Sequence, residues 1–444
     1  MANYLSITEQ ECEEMLATVG VKKCADLYAD IPVTLKNKSL KIAPGKSQQQ
    51  VMEDLEAYAA ENVVFNSIMR GAGAYDHYVP SVVKYLSSRS EFLTAYTPYQ
   101  AEMSQGILQS IFEFQTMICS LTGMEVANAS VYDGSSAAAE AAFMCVEKDK
   151  REILVPESVK PQVIEVMRTY LSRRNITIKV LTEKDGYIKD GKIDSAKLQE
   201  VINEHTACLY MEQPNYYGVI EDAEFVCEMA HHKGAKVIMG CNPMTLALLK
   251  SPAECGADIA VGDAQPFGLS ISFGGPYLGF MATRVNKETM RRMPGRIVGQ
   301  TTDAKGNRCF VLTLQGREQH IRREKALSNI CSNQAHCALV ASMYLTSMGK
   351  EGLKEVATAC TSLAHYAAEQ FTQGKATLKY PENNDFFHEF VTVTPCKADK
   401  IVEKCAKMGI LAGLPIGPNE ILWCMTEKVH KEDIDKVAEI MRRA

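Results

Sequence analysis

Polar residues follow three apolar stretches in the middle of the chain, at the points where predicted strands end. They are Gln213-Pro214-Asn215, Gly240-Cys241-Asn242 and Asp263-Ala264-Gln265, the last followed by a glycine hinge, Gly274-Gly275-Pro276. Ligands of parallel α/β sheets bind at the carboxyl ends of the strands, so these side chains mark a candidate site. No lysine occurs between residues 251 and 283, so the last turn offers no amine nucleophile.

A turn before an alanine-rich stretch, Asp133-Gly134-Ser135-Ser136, could bind an anion. Backbone N–H groups at a helix N-terminus bind phosphate, and the small side chains of Gly134, Ser135 and Ser136 leave room for it. The same residues also suit an ordinary N-cap, in which a short polar side chain accepts from the backbone. The turn is therefore a candidate phosphate site with a purely structural alternative.

Two further stretches have the residue types of binding surfaces. Residues 94–102 contain Tyr96, Thr97, Tyr99 and Gln100 and few aliphatic side chains. Tyrosine and glutamine are typical of small-molecule pockets and subunit interfaces, although a loop with exposed tyrosines is the simpler interpretation. Residues 320–325, His-Ile-Arg-Arg-Glu-Lys, indicate either a docking segment or the solvated start of a helix.

The elements that must position these residues alternate between strands and helices from residue 150 to residue 283. Such alternation predicts an α/β fold with a mostly parallel sheet and helices on both faces. We expect a helical arm over residues 1–70, with Ser6 and Glu9 forming a capping box. A large domain over residues 71–325 follows, and residues 326–444 form a long linking helix and a small C-terminal α/β domain. This layout matches fold type I of the pyridoxal phosphate (PLP)-dependent transferases.

PLP in that fold requires three groups, and two of them are missing here. A helix N-terminus must hold the phosphate, an acid must pair with the pyridinium nitrogen, and a lysine must bind the cofactor covalently. The turn at Gly134–Ser136 fits the first requirement. The acid is expected after the strand at residues 236–239, where Gly240, Cys241 and Asn242 stand, and the lysine is expected in the turn that contains Gln265. The sequence therefore argues against a PLP enzyme complete within one chain.

Four segments resemble the glycine cleavage system P-protein family, glycine dehydrogenase (decarboxylating), and more closely subunit 1 of its two-subunit bacterial form. They are residues 94–102, 128–141, 265–276 and 314–333, and the most specific are Thr-Ala-Tyr-Thr-Pro-Tyr-Gln at 94–100 and His-Ile-Arg-Arg-Glu-Lys-Ala-Leu-Ser-Asn-Ile-Cys at 320–331.

This resemblance implies a division of labour between two subunits. Counting back from the glycine hinge, the lysine of the PLP-bearing subunit falls on Gln265. The resemblance implies that PLP sits in a partner subunit, in an αβ or α2β2 assembly. Together the subunits would decarboxylate glycine and pass the aminomethyl group to the lipoyl arm of H-protein. Tyr96, Thr97, Tyr99 and Gln100 are the expected interface or pocket residues, and the 320–325 run could meet the partner or an acidic H-protein.

Composition and charge exclude several other classes of protein. The chain of 444 residues has a net charge of −6, which does not favour nucleic acid as a partner. No run of about eighteen apolar residues occurs, so no membrane span is expected. The 15 cysteines have mostly apolar neighbours and indicate free thiols in the cytoplasm, rather than zinc bound by His231, His232, Cys227 and Cys241.

Two other interpretations of the chain stay open. The chain could be a catalytically silent scaffold that only stabilises a PLP-bearing partner, in which case Tyr96 and Tyr99 would not matter to turnover. It could also be an independent PLP aminotransferase that uses another lysine, in which case the purified chain would carry covalently bound PLP. The subunit interpretation predicts instead that the isolated chain is inactive.

Overall fold

The computed structural model describes residues 6–35, 42–285, 287–330, 332–383 and 385–443. The chain divides into two compact units, Met1–Val63 and Val64–Ala444. Helices α1 (Glu9–Val19) and α2 (Gln48–Ala60) belong to the first unit. Helix α1 starts two residues later than predicted, because Thr8 and Glu11 form the capping box in place of Ser6 and Glu9.

The second unit contains the remaining helices and all of the described strands. Its helices are α3 (Ser81–Ser87), α4 (Ser90–Leu93), α5 (Gln105–Thr122), α6 (Gly134–Cys145), α7 (Pro161–Leu171), α8 (Ser195–Val201), α9 (Ala223–His232), α10 (Lys287–Arg292), α11 (Gln319–Arg322), α12 (Ala335–Phe371), α13 (Ala398–Ala406) and α14 (Lys431–Arg442). Its strands are β1 (Ser67–Ile68), β2 (Val126–Ala127), β3 (Glu152–Pro156), β4 (Thr177–Leu181), β5 (Ile188–Lys189), β6 (Lys192–Ile193), β7 (Thr206–Gln213), β8 (Lys236–Cys241), β9 (Ile259–Asp263), β10 (Gly279–Thr283), β11 (Ile297–Thr302), β12 (Arg308–Thr313), β13 (Thr377–Leu378), β14 (Glu389–Val393), β15 (Ile410–Leu411), β16 (Leu414–Gly417) and β17 (Glu420–Cys424).

A seven-stranded sheet forms the centre of this unit, in the order β2-β10-β9-β8-β7-β3-β4. Strands β9, β8, β7, β3 and β4 pair in parallel, while β10 and β2 run antiparallel at one side. Every residue of β7 is buried, as expected for a strand covered on both faces. The predicted α/β class is confirmed, and the predicted strand ends lie on one edge of the sheet.

Helices cover both faces of the sheet and form two separate cores. Helices α5, α9 and the first half of α12 pack on one face, where Phe114, Val226 and Tyr344 are buried. Helices α6 and α7 pack on the other face through small and branched residues, including Ala141 and Val163. The alanines of α6 let its backbone approach the sheet closely, which places the helix N-terminus at the edge where the strands end.

A four-stranded antiparallel sheet, β13-β14-β17-β16, forms the C-terminal part of the unit. Its apolar face packs on the second half of α12 and on α13 and α14, with Trp423 fully buried in the centre. Strand β1 pairs in parallel with β15, so residues 67–68 belong with this part of the structure although they fall inside the predicted arm. Helix α12 contributes residues both to the core under the large sheet and to the core of this C-terminal sheet, and it has a kink at Gly349, where φ is 61°.

None of the helices in the described ranges combines the length and the apolar composition of a membrane span.

Candidate functional site

A cleft of about 550 Å³ opens at the carboxyl edge of the parallel strands, where the sequence predicted a ligand site. The ends of β7, β8 and β9, the start of α6 and a segment at residues 71–75 line it. Its charged lining residues are Asp133, Lys160, Glu212 and Asp263. The location is therefore the one expected for a cofactor of this fold, and its contents decide whether PLP fits.

Gln265 is only 1% exposed, and its side-chain amide is fully engaged with the backbone. The Oε1 atom accepts from the N–H of Tyr75 at 2.8 Å, and Nε2 donates to the Tyr75 carbonyl at 2.9 Å. The same Nε2 also donates to the Leu269 carbonyl at 2.7 Å. Gln265 thus fixes the segment at residues 71–75 against the turn after β9, which is a structural role at the place where a lysine was expected.

The helix N-terminus at Gly134–Ser136 is capped by two carboxylates of the protein itself. Asp133 accepts from the N–H of Ser136 at 2.7 Å, and Asp263 accepts from the N–H of Gly134 at 3.0 Å. A Cβ on Gly134 would lie 3.1 Å from the Cβ of Asp263, so α6 rests directly on this residue. A phosphate would have to displace one carboxylate and approach the other, and the structural interpretation of the turn is the one that fits.

Burial raises the pKa of Asp263, while three backbone N–H groups act in the opposite direction. These donors belong to Gly134, Gln265 and Leu278, at 3.0, 2.9 and 3.3 Å. Three converging donors favour the ionised carboxylate, because a backbone N–H cannot accept a proton. Burial is the larger of the two effects on the pKa, and Asp263 caps α6 through its hydrogen bond from Gly134.

The end of β8 supplies no acid for a pyridinium nitrogen. Asn242 donates from Nδ2 to Nε2 of His388 at 3.1 Å, and its Oδ1 accepts from the N–H of Met244 at 3.1 Å. Burial lowers the pKa of His388 well below its usual range, so the ring is neutral. The turn after β9 has no lysine, the N-terminus of α6 is already capped, and the end of β8 has no acid, so the cleft of this chain does not fit PLP.

Lys160 is a charged residue of the cleft that no sequence pattern singled out. Its Nζ lies 3.3 Å from Oε1 of Glu212, which also accepts from the Tyr210 hydroxyl at 3.2 Å. Burial lowers the pKa of Lys160, but the carboxylates of Glu212, Glu389 and Asp263 outweigh burial and raise it. A protonated amine is not a nucleophile, so the lysine in this cleft does not favour the aminotransferase hypothesis.

Residues 71–78 are bonded to the C-terminal sheet as well as to Gln265. Glu389 accepts from the N–H of Ala72 at 2.6 Å and from the hydroxyl of Tyr75 at 2.8 Å. Glu427 accepts from Nδ1 of His77 and from the N–H of Tyr78, both at 2.7 Å. The segment is therefore fixed between the large sheet and the C-terminal part of the chain by hydrogen bonds to Gln265, Glu389 and Glu427.

One cluster of side chains in the described ranges has the spacing of a metal site, and it is His77, Cys360 and Glu427. Oε2 of Glu427 already lies 2.7 Å from His77 Nδ1 and 3.4 Å from Cys360 Sγ. Burial, with Glu427 beside it, raises the pKa of the Cys360 thiol. The thiol therefore stays protonated, whereas metal binding requires the thiolate. The cluster is a hydrogen-bonded anchor, and His231, His232, Cys227 and Cys241 do not form a comparable group.

The tyrosine-rich stretch lies on a different surface from the cleft. Tyr96 is 89% exposed and Tyr99 is 48% exposed, while Thr97 is half-buried and Gln100 is exposed. None of the four lines the cavity at the strand ends. The structure thus separates the residues predicted to act in trans from the chain's own cofactor-type cleft.

The two motifs that carried the resemblance converge around one buried arginine. Arg296 donates from Nη2 to the Tyr99 hydroxyl at 3.1 Å and from Nη1 to Asn333 Oδ1 at 3.2 Å. The Tyr99 ring meets the His320 ring edge-on at a centroid distance of 5.7 Å. Tyr99, His320 and Asn333 therefore lie together, and no pattern in the sequence identified Arg296 as their centre.

Glu140, a buried residue of α6, is bonded to this surface, and its protonation can be tested by the dependence of stability on pH. It is 5% exposed, accepts from the Ser328 hydroxyl at 2.9 Å, and burial raises its pKa to about 7. A raised pKa favours the protonated form in the folded state. The contribution of Glu140 to stability is therefore greatest below pH 4.5, the ordinary pKa, and falls by roughly 3 kcal/mol as the pH rises to about 7.

Glu140→Gln is expected to remove this part of the pH dependence and to stabilise the chain at pH 8. Urea unfolding at pH 5 and pH 8 measures it, with the exposed Glu113→Gln as a matched control. Buried Glu221 has a pKa that is also raised to about 7, so the free energy of unfolding of both variants still depends on pH. An unchanged difference between the two pH values in Glu140→Gln would contradict the assignment.

Comparison with known proteins places these observations in a family. The family described as glycine cleavage system P-protein matches residues 2–441. The chain is 46% identical over 446 residues to the probable glycine dehydrogenase (decarboxylating) subunit 1 of Desulfitobacterium hafniense, covering 98% of each chain. It superposes with a TM-score of 0.91 and 37% identity on a crystal structure of glycine decarboxylase (P-protein) of the glycine cleavage system, in inhibitor-bound form, over 100% of both chains. The cystine C-S lyase C-DES, solved with glycine covalently linked to its PLP cofactor, shares the fold at a TM-score of 0.61 and 13% identity, over 86% of this chain and 97% of that one.

Proposed function

We propose that this chain, which belongs to the glycine cleavage system P-protein family, is the subunit of glycine dehydrogenase (decarboxylating) that does not carry the cofactor lysine. With a second subunit it decarboxylates glycine and transfers the aminomethyl group to the lipoyl arm of H-protein. The observation that carries the proposal is the hydrogen bonding of Gln265, whose side-chain amide is bonded to the backbone of Tyr75 and Leu269. The cleft beside it does not fit PLP. A member of the family with such a cleft needs a partner for its chemistry.

The partner is the PLP-bearing subunit, in an αβ or α2β2 assembly. The curated relatives are called subunit 1, which supports the existence of a second subunit. PLP supplies the electron sink for loss of the glycine carboxylate, and it is bound in the partner. The described cysteines are free thiols, which supports a reducing compartment, the cytoplasm, for this assembly.

This chain contributes side chains to the partner's site rather than a site of its own. Tyr96, Thr97, Tyr99 and Gln100 stand on the surface where the two family motifs meet, outside the chain's own cleft. The side chain of Tyr96 is 89% exposed and would be buried by a partner bound at this surface. We assign these four residues to the lining of the shared site, with Tyr96 as the first candidate for contact with glycine or the lipoyl arm.

Glycine–bicarbonate exchange by the assembled complex tests this role. Tyr96→Ala is expected to lower the exchange rate by about 10²-fold at unchanged assembly, because a misplaced or missing contact in a shared site costs about that much. Tyr85→Ala, which removes a 64% exposed tyrosine from α3, is the matched control and is expected to retain the wild-type rate. Size-exclusion chromatography of each complex checks that assembly is intact.

A silent scaffold is the alternative, and the same assay distinguishes it. It predicts that Tyr96→Ala and Tyr99→Ala complexes assemble and exchange at the wild-type rate. An isolated chain that binds PLP covalently, detected as a lysine-linked mass after borohydride reduction, would instead favour an independent PLP enzyme and overturn the proposed function.

A further inference from the structure

Arg296 is a buried charge placed directly behind an exposed tyrosine. Its side chain is 6% exposed, and that of Glu318, its nearest carboxylate, is 7% exposed. The two are separated by 3.9 Å between Nε of Arg296 and Oε2 of Glu318, which is an ion pair without a hydrogen bond. Burying charges is costly unless the geometry is close, so a loose pair adds little to stability.

The hydrogen bonds that this cluster leaves unmade support the same conclusion. Arg296 Nε and Glu318 Oε1 are buried without a partner among the described residues. Replacing both members of such a pair by apolar residues would cost little stability, so packing alone does not account for the two charges. The guanidinium nevertheless donates hydrogen bonds from Nη2 to the Tyr99 hydroxyl and from Nη1 to Asn333. It also lies 5.3 Å from the centre of the Tyr99 ring.

The direction of the Arg296–Tyr99 hydrogen bond decides what the phenol can do. A guanidinium has donors only, so the Tyr99 oxygen must be the acceptor at 3.1 Å. The phenolic proton is then not used in this contact, and no acceptor for it is found in the described parts of the chain. Since Tyr99 is 48% exposed, that proton is available to a group outside this chain.

We propose that Arg296 is a positioning residue for the reaction in trans: it fixes Tyr99 as a hydrogen-bond donor toward an anionic oxygen, such as the substrate carboxylate, at the partner's site. Asn333 holds the other side of the guanidinium, and its own Nδ2 is tied to Ser130 Oγ at 2.8 Å. His320 packs against the edge of the same ring. The inference rests on the proposed function and adds to it a named donor and the residue that orients it.

A double-mutant cycle in the assembled complex tests this proposal. Tyr99→Phe keeps the ring and removes the hydroxyl, and it is expected to lower kcat/KM for glycine–bicarbonate exchange at least tenfold. Arg296→Met is expected to cause a similar loss, and the double variant is expected to be no worse than the more impaired single one, because both remove the same oriented donor. Arg308→Met, which removes an exposed arginine near the Phe310 ring, is the control.

Arg296→Lys covers the case in which Arg296→Met fails to fold because Glu318 is left unpaired. A lysine can still donate to the Tyr99 oxygen, so this variant is expected to retain more than one third of the wild-type rate only when Tyr99 is present. Losses that multiply independently in the double variant, or a Tyr99→Phe complex at the wild-type rate, would overturn the positioning role. A wild-type complex without exchange activity would overturn the proposed function itself, so the two failures are distinguishable.

Discussion

Gln265→Lys is expected to destabilise the chain by about 3–5 kcal/mol and to leave it without lysine-bound PLP. The ammonium group would be buried at a position that is 1% exposed, and no carboxylate bonds the present side chain. A lysine can donate to the carbonyls of Tyr75 or Leu269, but it cannot accept from the Tyr75 N–H. Even a folded variant would offer PLP a helix N-terminus already capped by Asp133 and Asp263.

Two measurements check this prediction on the full chain. Urea unfolding gives the change in stability, and mass spectrometry after incubation with PLP and borohydride detects a cofactor fixed to lysine. Gln162→Lys is the matched control, because Gln162 lines the same cleft but is exposed, so its replacement is expected to be nearly neutral. A stable Gln265→Lys chain carrying fixed PLP at residue 265 would show that the cleft still fits the cofactor.

Gly218→Ala is expected to cost roughly 4 kcal/mol or to prevent folding, which is at the upper end of single substitutions. Gly218 has a φ of +85°, and a Cβ there would lie 1.9 Å from the carbonyl oxygen of Glu389. The backbone of β14 cannot retreat freely, because the Glu389 side chain is bonded to Ala72 and Tyr75. Backbone strain and overlap with another backbone therefore add together.

Gly186→Ala separates these two contributions. Gly186 has a similar φ of +80°, but a Cβ there would meet nothing within 4 Å. Strain alone is expected to cost about 1 kcal/mol at this position. The comparison requires only urea unfolding of both variants, and equal losses would contradict a close approach between Gly218 and β14.

The parts of the fold that follow from local pattern were predictable from the sequence. Alternating apolar segments and polar turns identified the parallel sheet and its carboxyl edge, because each strand end depends on a few neighbouring residues. The absence of a lysine near Gln265 could also be read directly. The caps were less certain: two overlapping Ser/Thr-x-x-Glu patterns start at Ser6 and Thr8, and the second one forms.

What could not be predicted depends on contacts between distant segments. Lys160, Glu212 and Glu389 form one charged network only because the C-terminal sheet packs against the cleft. The sequence predicts Asp263 only as one of several polar residues at the strand ends, because its role as a cap for α6 requires the direct contact with Gly134. The positioning role proposed for Arg296 likewise depends on its hydrogen bonds to Tyr99 and Asn333, which lie far from it in the chain.

Residues 71–78 have a consequence for motion. Gln265 bonds this segment to the large sheet, while Glu389 and Glu427 bond it to the C-terminal sheet. A lid-type opening between the two sheets would have to break several buried hydrogen bonds at once, which places it among rare, slow events. The large sheet and the C-terminal sheet of the chain are therefore expected to move together as one rigid body.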